Sequence, residues 1–90
     1  RNFMENHVAV IGIIVEDYNS VGQLNEILHQ HRHLIIGRLG IPYRPKNISV
    51  MSIVVDTDLE TINSMSESIS RLSGVSTRTA VSGNCICGNS

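Results

Sequence analysis

His7-Val8-Ala9-Val10-Ile11-Gly12-Ile13-Ile14-Val15 is apolar at almost every position after its histidine. In a strand, successive side chains point to opposite faces, so Val8, Val10 and Ile14 project one way while Ala9, Ile11, Ile13 and Val15 project the other. Such a strand needs cover on both sides, whereas an antiparallel sheet with one solvated face alternates apolar with polar residues. Ile48 to Val55 repeats the pattern, with Ile48, Val50 and Val54 opposite Met51, Ile53 and Val55.

Working outward from these two strands, each is followed by a helix and a second strand. After the cap-forming cluster Asp17 to Ser20, Val21, Leu24, Ile27 and Leu28 make one face of a helix that is expected to end near Arg32. His29, His31 and Arg32 in its last turn suit the carbonyl end of the helix dipole. Leu34 to Tyr43 reads as a strand that carries Gly37 and Gly40, residues that mark a bulge or a crowded backbone approach. Pro42, Tyr43, Arg44 and Pro45 supply the turn into the next strand. Thr57-Asp58-Leu59-Glu60 fits a capping box, which starts a second helix striped by Leu59, Ile62, Met65, Ile69 and Leu72. Ser73-Gly74 ends it, and Val75 to Val81, with Thr77, Arg78 and Thr79, has the polar content of an edge strand. The order strand-helix-strand, strand-helix-strand is the split βαβ plan. It predicts an α+β, ferredoxin-like βαββαβ sandwich, one four-stranded antiparallel sheet with two helices on one face. The other face is left to be covered by something else.

The chain has 90 residues, enough for one domain and one core. That domain is placed at 7–82, after an N-terminal extension at 1–6 and before a Gly/Asn/Ser tail at 83–90. A formal charge of −1 lacks the basic excess that phosphate contacts require, which argues against direct nucleic-acid binding. No apolar run approaches a membrane span and no signal peptide is visible, so no membrane partner and a cytoplasmic address are expected. Cys85 and Cys87, one residue apart in the tail, cannot make a disulfide framework.

Candidate chemistry is sparse. His29, His31 and His33 are metal-ligand types, but residues two apart on a helix diverge by about 200°, so the cluster converges only if the chain breaks near Arg32. The plainer reading of His31 is a helix-end residue half packed beside Leu24 and Leu28. Cys85 and Cys87 supply two thiolates and no second pair. Glu16, Asp17, Asn19 and Ser20, at a helix start, offer carboxylates and backbone amides to a polar ligand, although helix capping explains the same residues. Gly37-Arg38-Leu39-Gly40 is not a phosphate loop, since no Lys-Ser/Thr pair follows, but Arg38 suits an anion or a subunit contact. No nucleophile-elbow pattern and no acid/base pair is present, so no catalytic residue is assigned.

Taken together, Val8 to Asp17, Asn25-Glu26-Ile27-Leu28-His29 and Ile35-Ile36-Gly37-Arg38-Leu39-Gly40-Ile41-Pro42-Tyr43-Arg44 resemble a small bacterial family of iron-only hydrogenase system regulators. The resemblance runs from about His7 to Val81 and includes Ile53-Val54-Val55-Asp56 and Leu72-Ser73-Gly74-Val75. It implies an ACT-like ferredoxin fold, similar to the oligomerising metal-sensor domain of the nickel-responsive repressor, and a regulatory role with no reaction assigned. The DNA-reading arm of such a repressor has no counterpart in Arg1 to Asn6. Its nickel ligands are not matched either. His29 or His31 can stand for the helix histidine, but Leu39 and Ile41 occupy the strand-histidine positions and Asn47 lies near that of the cysteine.

The expectation is therefore a non-catalytic regulatory module that forms homodimers or homotetramers through the uncovered sheet face or edge. It would bind a small effector or a protein partner, with Glu16, Asp17, Asn19, Ser20, Gly37, Arg38 and Gly40 as candidate ligand-binding residues and no cofactor. The alternatives are a metal sensor using His29, His31 and His33, and a small enzyme with a site shared between subunits.

Overall fold

The computed structural model describes residues 5–83. Its elements are β1 (Asn6–Val15), α1 (Val21–Gln30), β2 (Ile35–Tyr43), β3 (Ile48–Asp58), α2 (Leu59–Ser70) and β4 (Val75–Val81), with one-turn 3-10 helices at Tyr18–Ser20, Arg32–Leu34 and Arg44–Lys46. The strands form one antiparallel sheet in the order β2-β3-β1-β4. This is the ferredoxin-like, ACT-like α+β architecture, with the two most apolar strands in the centre and the polar β4 at an edge. The tail cysteines Cys85 and Cys87 lie outside the described residues, while Asn6 already pairs with Asp58 as part of β1.

The two faces of the sheet follow from strand parity. Ala9, Ile11, Ile13 and Val15 of β1, Ile53 and Val55 of β3 and Val75 of β4 form one buried cluster with Leu24 and Leu28 of α1 and Ile62, Met65 and Ile69 of α2. Every strand member of this cluster lies on the same face, so both helices cover that face. Val8, Val10, Ile14 and Val50 on the opposite face are exposed.

Local chemistry sets the joints. Asp17 accepts from the Asn19 backbone N–H at 2.9 Å and starts the 3-10 turn that leads into α1. Buried Ser20 donates its hydroxyl to the Ser73 carbonyl at 2.6 Å, tying the start of α1 to the turn after α2. In that turn Gly74 adopts φ +68°, and a Cβ there would lie 2.7 Å from the Asp17 Cβ. The β2-β3 connection closes through Arg44–Lys46 onto Asn47, which takes the left-handed conformation that asparagine tolerates.

Three local expectations are corrected. Helix α1 ends at Gln30 rather than near Arg32, because His31 leaves helical geometry and the chain tightens into a 3-10 turn. The capping box at Thr57 does not form. Thr57 pairs with His7 and is buried on the helix side of the sheet, so the strand ladder continues to Asp58 and Asp58 takes the N-cap position. Its carboxylate accepts from the Thr61 hydroxyl at 2.6 Å and the Thr57 hydroxyl at 3.1 Å. Nor are the β2 glycines crowded within the chain. A Cβ at Gly37 would meet nothing within 4 Å, and one at Gly40 only Met51 Cγ at 3.9 Å. Gly37 instead adjoins a bulge, where the register slips between Ile35 and Gly37 and Ile36 is the extra residue.

Candidate functional site

Among the described residues, the face of the sheet opposite the helices carries no covering element and exposes Val10, Ile14, Leu39, Ile41 and Val50. Cross-strand register arranges it in rows. Ile41, Val50 and Ile14 make one apolar row, ending at Ser76. Gly37, Val54, Val10 and Ala80 make another. Between them runs Leu39, Ser52, Gly12 and Arg78, a row whose two central residues are small. A Cβ at Gly12 would meet only the Arg78 carbonyl, at 3.8 Å, so the middle of the face is a shallow trough between two ridges of aliphatic side chains. Leu39, 60 % exposed, stands at one end of the trough. Tyr43 extends the apolar surface along β2 and is also exposed.

The residues singled out from sequence are not gathered in one place. Glu16 binds the Gly74 carbonyl through its backbone N–H at 2.7 Å, Asp17 caps the 3-10 turn through Asn19, and Ser20 is buried against Ser73. This segment thus stitches β1 and α1 to the turn before β4. Gly37, Arg38 and Gly40 lie two strands away on β2. Gly40 helps line a cleft of about 250 Å³ with Val15, Val21, Leu24 and Met51, between the start of α1 and the β2-β3 hairpin.

Arg38 lies in a second cleft, of about 360 Å³, on the outer flank of α1, where it meets Asn25, Leu28, His29, Arg32 and Ile35. Arg32 anchors there by donating from Nη1 to the His29 carbonyl at 3.0 Å, with His29 Nε2 at 3.3 Å. His31 is occupied elsewhere. Its Nδ1 is 2.9 Å from the Ile27 carbonyl, which can only accept, so Nδ1 carries the proton. His29, His31 and His33 are not gathered into a metal-holding set, and among the described residues no group of three or more His, Cys, Asp or Glu lies together. The first two imidazoles have different partners, His31 Nδ1 at the Ile27 carbonyl and His29 Nε2 at the Arg32 guanidinium.

Asn25, Arg32 and Ile35 as lining of one cleft, and the trough at Gly12 and Ser52, escape a reading of the sequence alone. The signal for the first was Gly37, which marks a bulge without saying on which side of it the strand parity changes.

These features can now be set beside known proteins. A family model described as "TM1266-like: Iron-only hydrogenase system regulator, putative" matches residues 7–79, from the start of β1 into β4. The chain belongs to this family. Among solved structures, the uncharacterized protein TM1266 from Thermotoga maritima is similar at 30 % identity, with a TM-score of 0.84 over 88 % of this chain and 100 % of that one. No curated protein matches. The TM1266-like family is named for regulation of an iron-only hydrogenase system. Among the described residues, no helix is long and apolar enough to cross a membrane.

Proposed function

We propose that this TM1266-like chain is a non-catalytic regulatory module that assembles with copies of itself through the open face of its sheet, and that a small effector or a protein partner acts on the assembly in the cytoplasm. The observation that carries this reading is the pair of aliphatic ridges on the face opposite the helices. Four strands about 4.8 Å apart, with roughly seven to eleven residues of ~3.4 Å each, give that face roughly 450–700 Å² in projection. Ser52, Ser76 and Arg78 make part of that face polar, and the face as a whole approaches the ~800 Å² that each partner contributes to a standard interface. Burial of apolar surface contributes roughly 25 cal/mol per Å² before association costs, a large term beside the marginal stability of a domain this small.

Sedimentation and light scattering at micromolar concentration test the assembly. A dimer or tetramer is expected, and the double substitution Val10→Glu with Ile14→Glu is expected to give a monomer with an unchanged circular dichroism spectrum. A wild-type chain that is monomeric at every concentration would remove the proposal. The regulatory role is read in a host with an iron-only hydrogenase, where deleting the gene is expected to change hydrogenase expression or activity. Unaltered levels of both would count against it.

A further inference from the structure

Ile35 and Arg38 are three residues apart, so in an unbroken strand they would point to opposite faces. The bulge at Ile36 changes this. Ile35 stands opposite Val55 and Arg38 opposite Ile53, and both of these partners belong to the buried core. Residues directly opposite in an antiparallel pair share a face, so the one extra residue turns Arg38 to the helix side, where it meets the outer flank of α1. On that flank Asn25 and His29 lie one helical turn apart, Arg32 follows in the 3-10 turn after α1, and Leu28 and Ile35 form an apolar floor.

Among the described residues no carboxylate lines the cleft. Among the described residues Arg38 has neither an ion-pair nor a hydrogen-bond partner. Arg32 is held by Nη1 alone, which leaves its Nε and Nη2 hydrogens without an acceptor among the described residues. The nearest acid along α1, Glu26, is 3.3 Å from Gln30 on the neighbouring face of the helix. Two guanidinium groups line one cleft, and an anion bound there is attracted by both charges. The planar guanidinium fork matches a carboxylate. A doubly charged phosphate is less well suited than a singly charged carboxylate, because this end of α1 presents its carbonyls and the negative end of the helix dipole. The volume, about 360 Å³, lies within the range of small-molecule sites.

We propose that this cleft binds a small organic carboxylate, with the carboxylate between Arg38 and Arg32, the apolar body on Leu28 and Ile35, and the Asn25 amide as a further hydrogen-bonding group. This names the class of effector, and it rests on the regulatory reading only for what binding does, not for binding itself. The test is an NMR titration of the full chain with benzoate, benzamide and inorganic phosphate at constant ionic strength, with the sedimentation mass of the same samples measured alongside. Benzoate is expected to give saturable shifts at the Arg32 and Arg38 Nε–H groups and at the Asn25, His29 and Ile35 amides. Benzamide is expected to give none, and Arg38→Gln, at an exposed position, is expected to weaken benzoate by roughly tenfold or more. The site is rejected if benzoate gives no saturable shift, if benzamide matches it, or if Arg38→Gln binds as wild type. Phosphate binding as tightly as benzoate would overturn the assignment of an apolar body. Loss of benzoate binding with the assembled mass intact rejects this site and leaves the assembly standing.

Discussion

Gly74 holds a left-handed backbone with Asp17 packed where a side chain would begin, so Gly74→Ala meets two obstacles together. The expected cost is about 2–3 kcal/mol, read as a lower urea midpoint with an unchanged m-value. The pattern Leu72-Ser73-Gly74 shows from sequence that a helix ends there, but not that Asp17 closes over it, because that contact joins residues far apart in the chain. Ser20 teaches the same lesson. Its position suggests a cap, while its hydroxyl in fact serves the Ser73 carbonyl, and Ser20→Ala is expected to cost about 1 kcal/mol in the same measurement. At Asp58, the Thr61 hydroxyl holds the carboxyl below the usual aspartate range, burial opposes it, and the Thr57 hydroxyl adds to the lowering. A depressed folded pKa means that Asp58 stabilises the fold above its unfolded value, about 3.9, and that this contribution is lost as pH falls through the folded value. A carbon-detected titration of Asp58 should move up toward the ordinary value in Thr61→Ala; a curve that stays in place would show that the hydroxyl is not the cause.

Elements were legible where a hydrophobic period runs uninterrupted and blurred where two local devices compete. The stripe Leu59, Ile62, Met65, Ile69 places α2 correctly, yet its start moves past the Thr57 capping signal because pairing of Thr57 with His7 continues the ladder. Strand β2 is the harder case: none of its residues is buried, and a single bulge exchanges the faces of everything on one side of it. Periodicity cannot locate a bulge whose extra residue, Ile36, is as apolar as its neighbours. In β1 the informative residue is Gly12. Its φ is not left-handed and its Cβ position is open, so Gly12→Ala is accommodated by the single chain and should leave the unfolding free energy of the monomeric Val10→Glu/Ile14→Glu background unchanged or raised, by at most about 1 kcal/mol. In the wild-type background the added methyl fills the trough, and the expected result is weaker self-association by sedimentation. Equal association in both would place the partner's contacts on the ridges alone.

For the molecule as a whole, the core that joins both helices to the sheet is small, and it sets the tolerance to mutation. Ile53→Ala, at the centre of that cluster, is expected to remove about 2–5 kcal/mol of a total on the order of 5–15, enough to leave a large unfolded fraction on warming. A melting temperature that rises with protein concentration is expected of the wild-type chain, since copies that bind only the folded form stabilise it by mass action. The face of β1 opposite the helices was visible in its residues from the outset, because the split βαβ plan puts both helices on one side of the sheet. Which ligand the other side accepts was not, since Arg32 and Arg38 meet only through the bulge. The two outer strands carry a further consequence. β4 presents Ser76, Thr77, Arg78 and Thr79, while Pro42 in β2 lacks a backbone N–H and the slip at Ile36 interrupts the hydrogen-bond ladder. Lateral ribbon growth is thereby discouraged on both flanks, so a greasy surface that would otherwise invite cross-β filaments is free to pair in a self-limiting way.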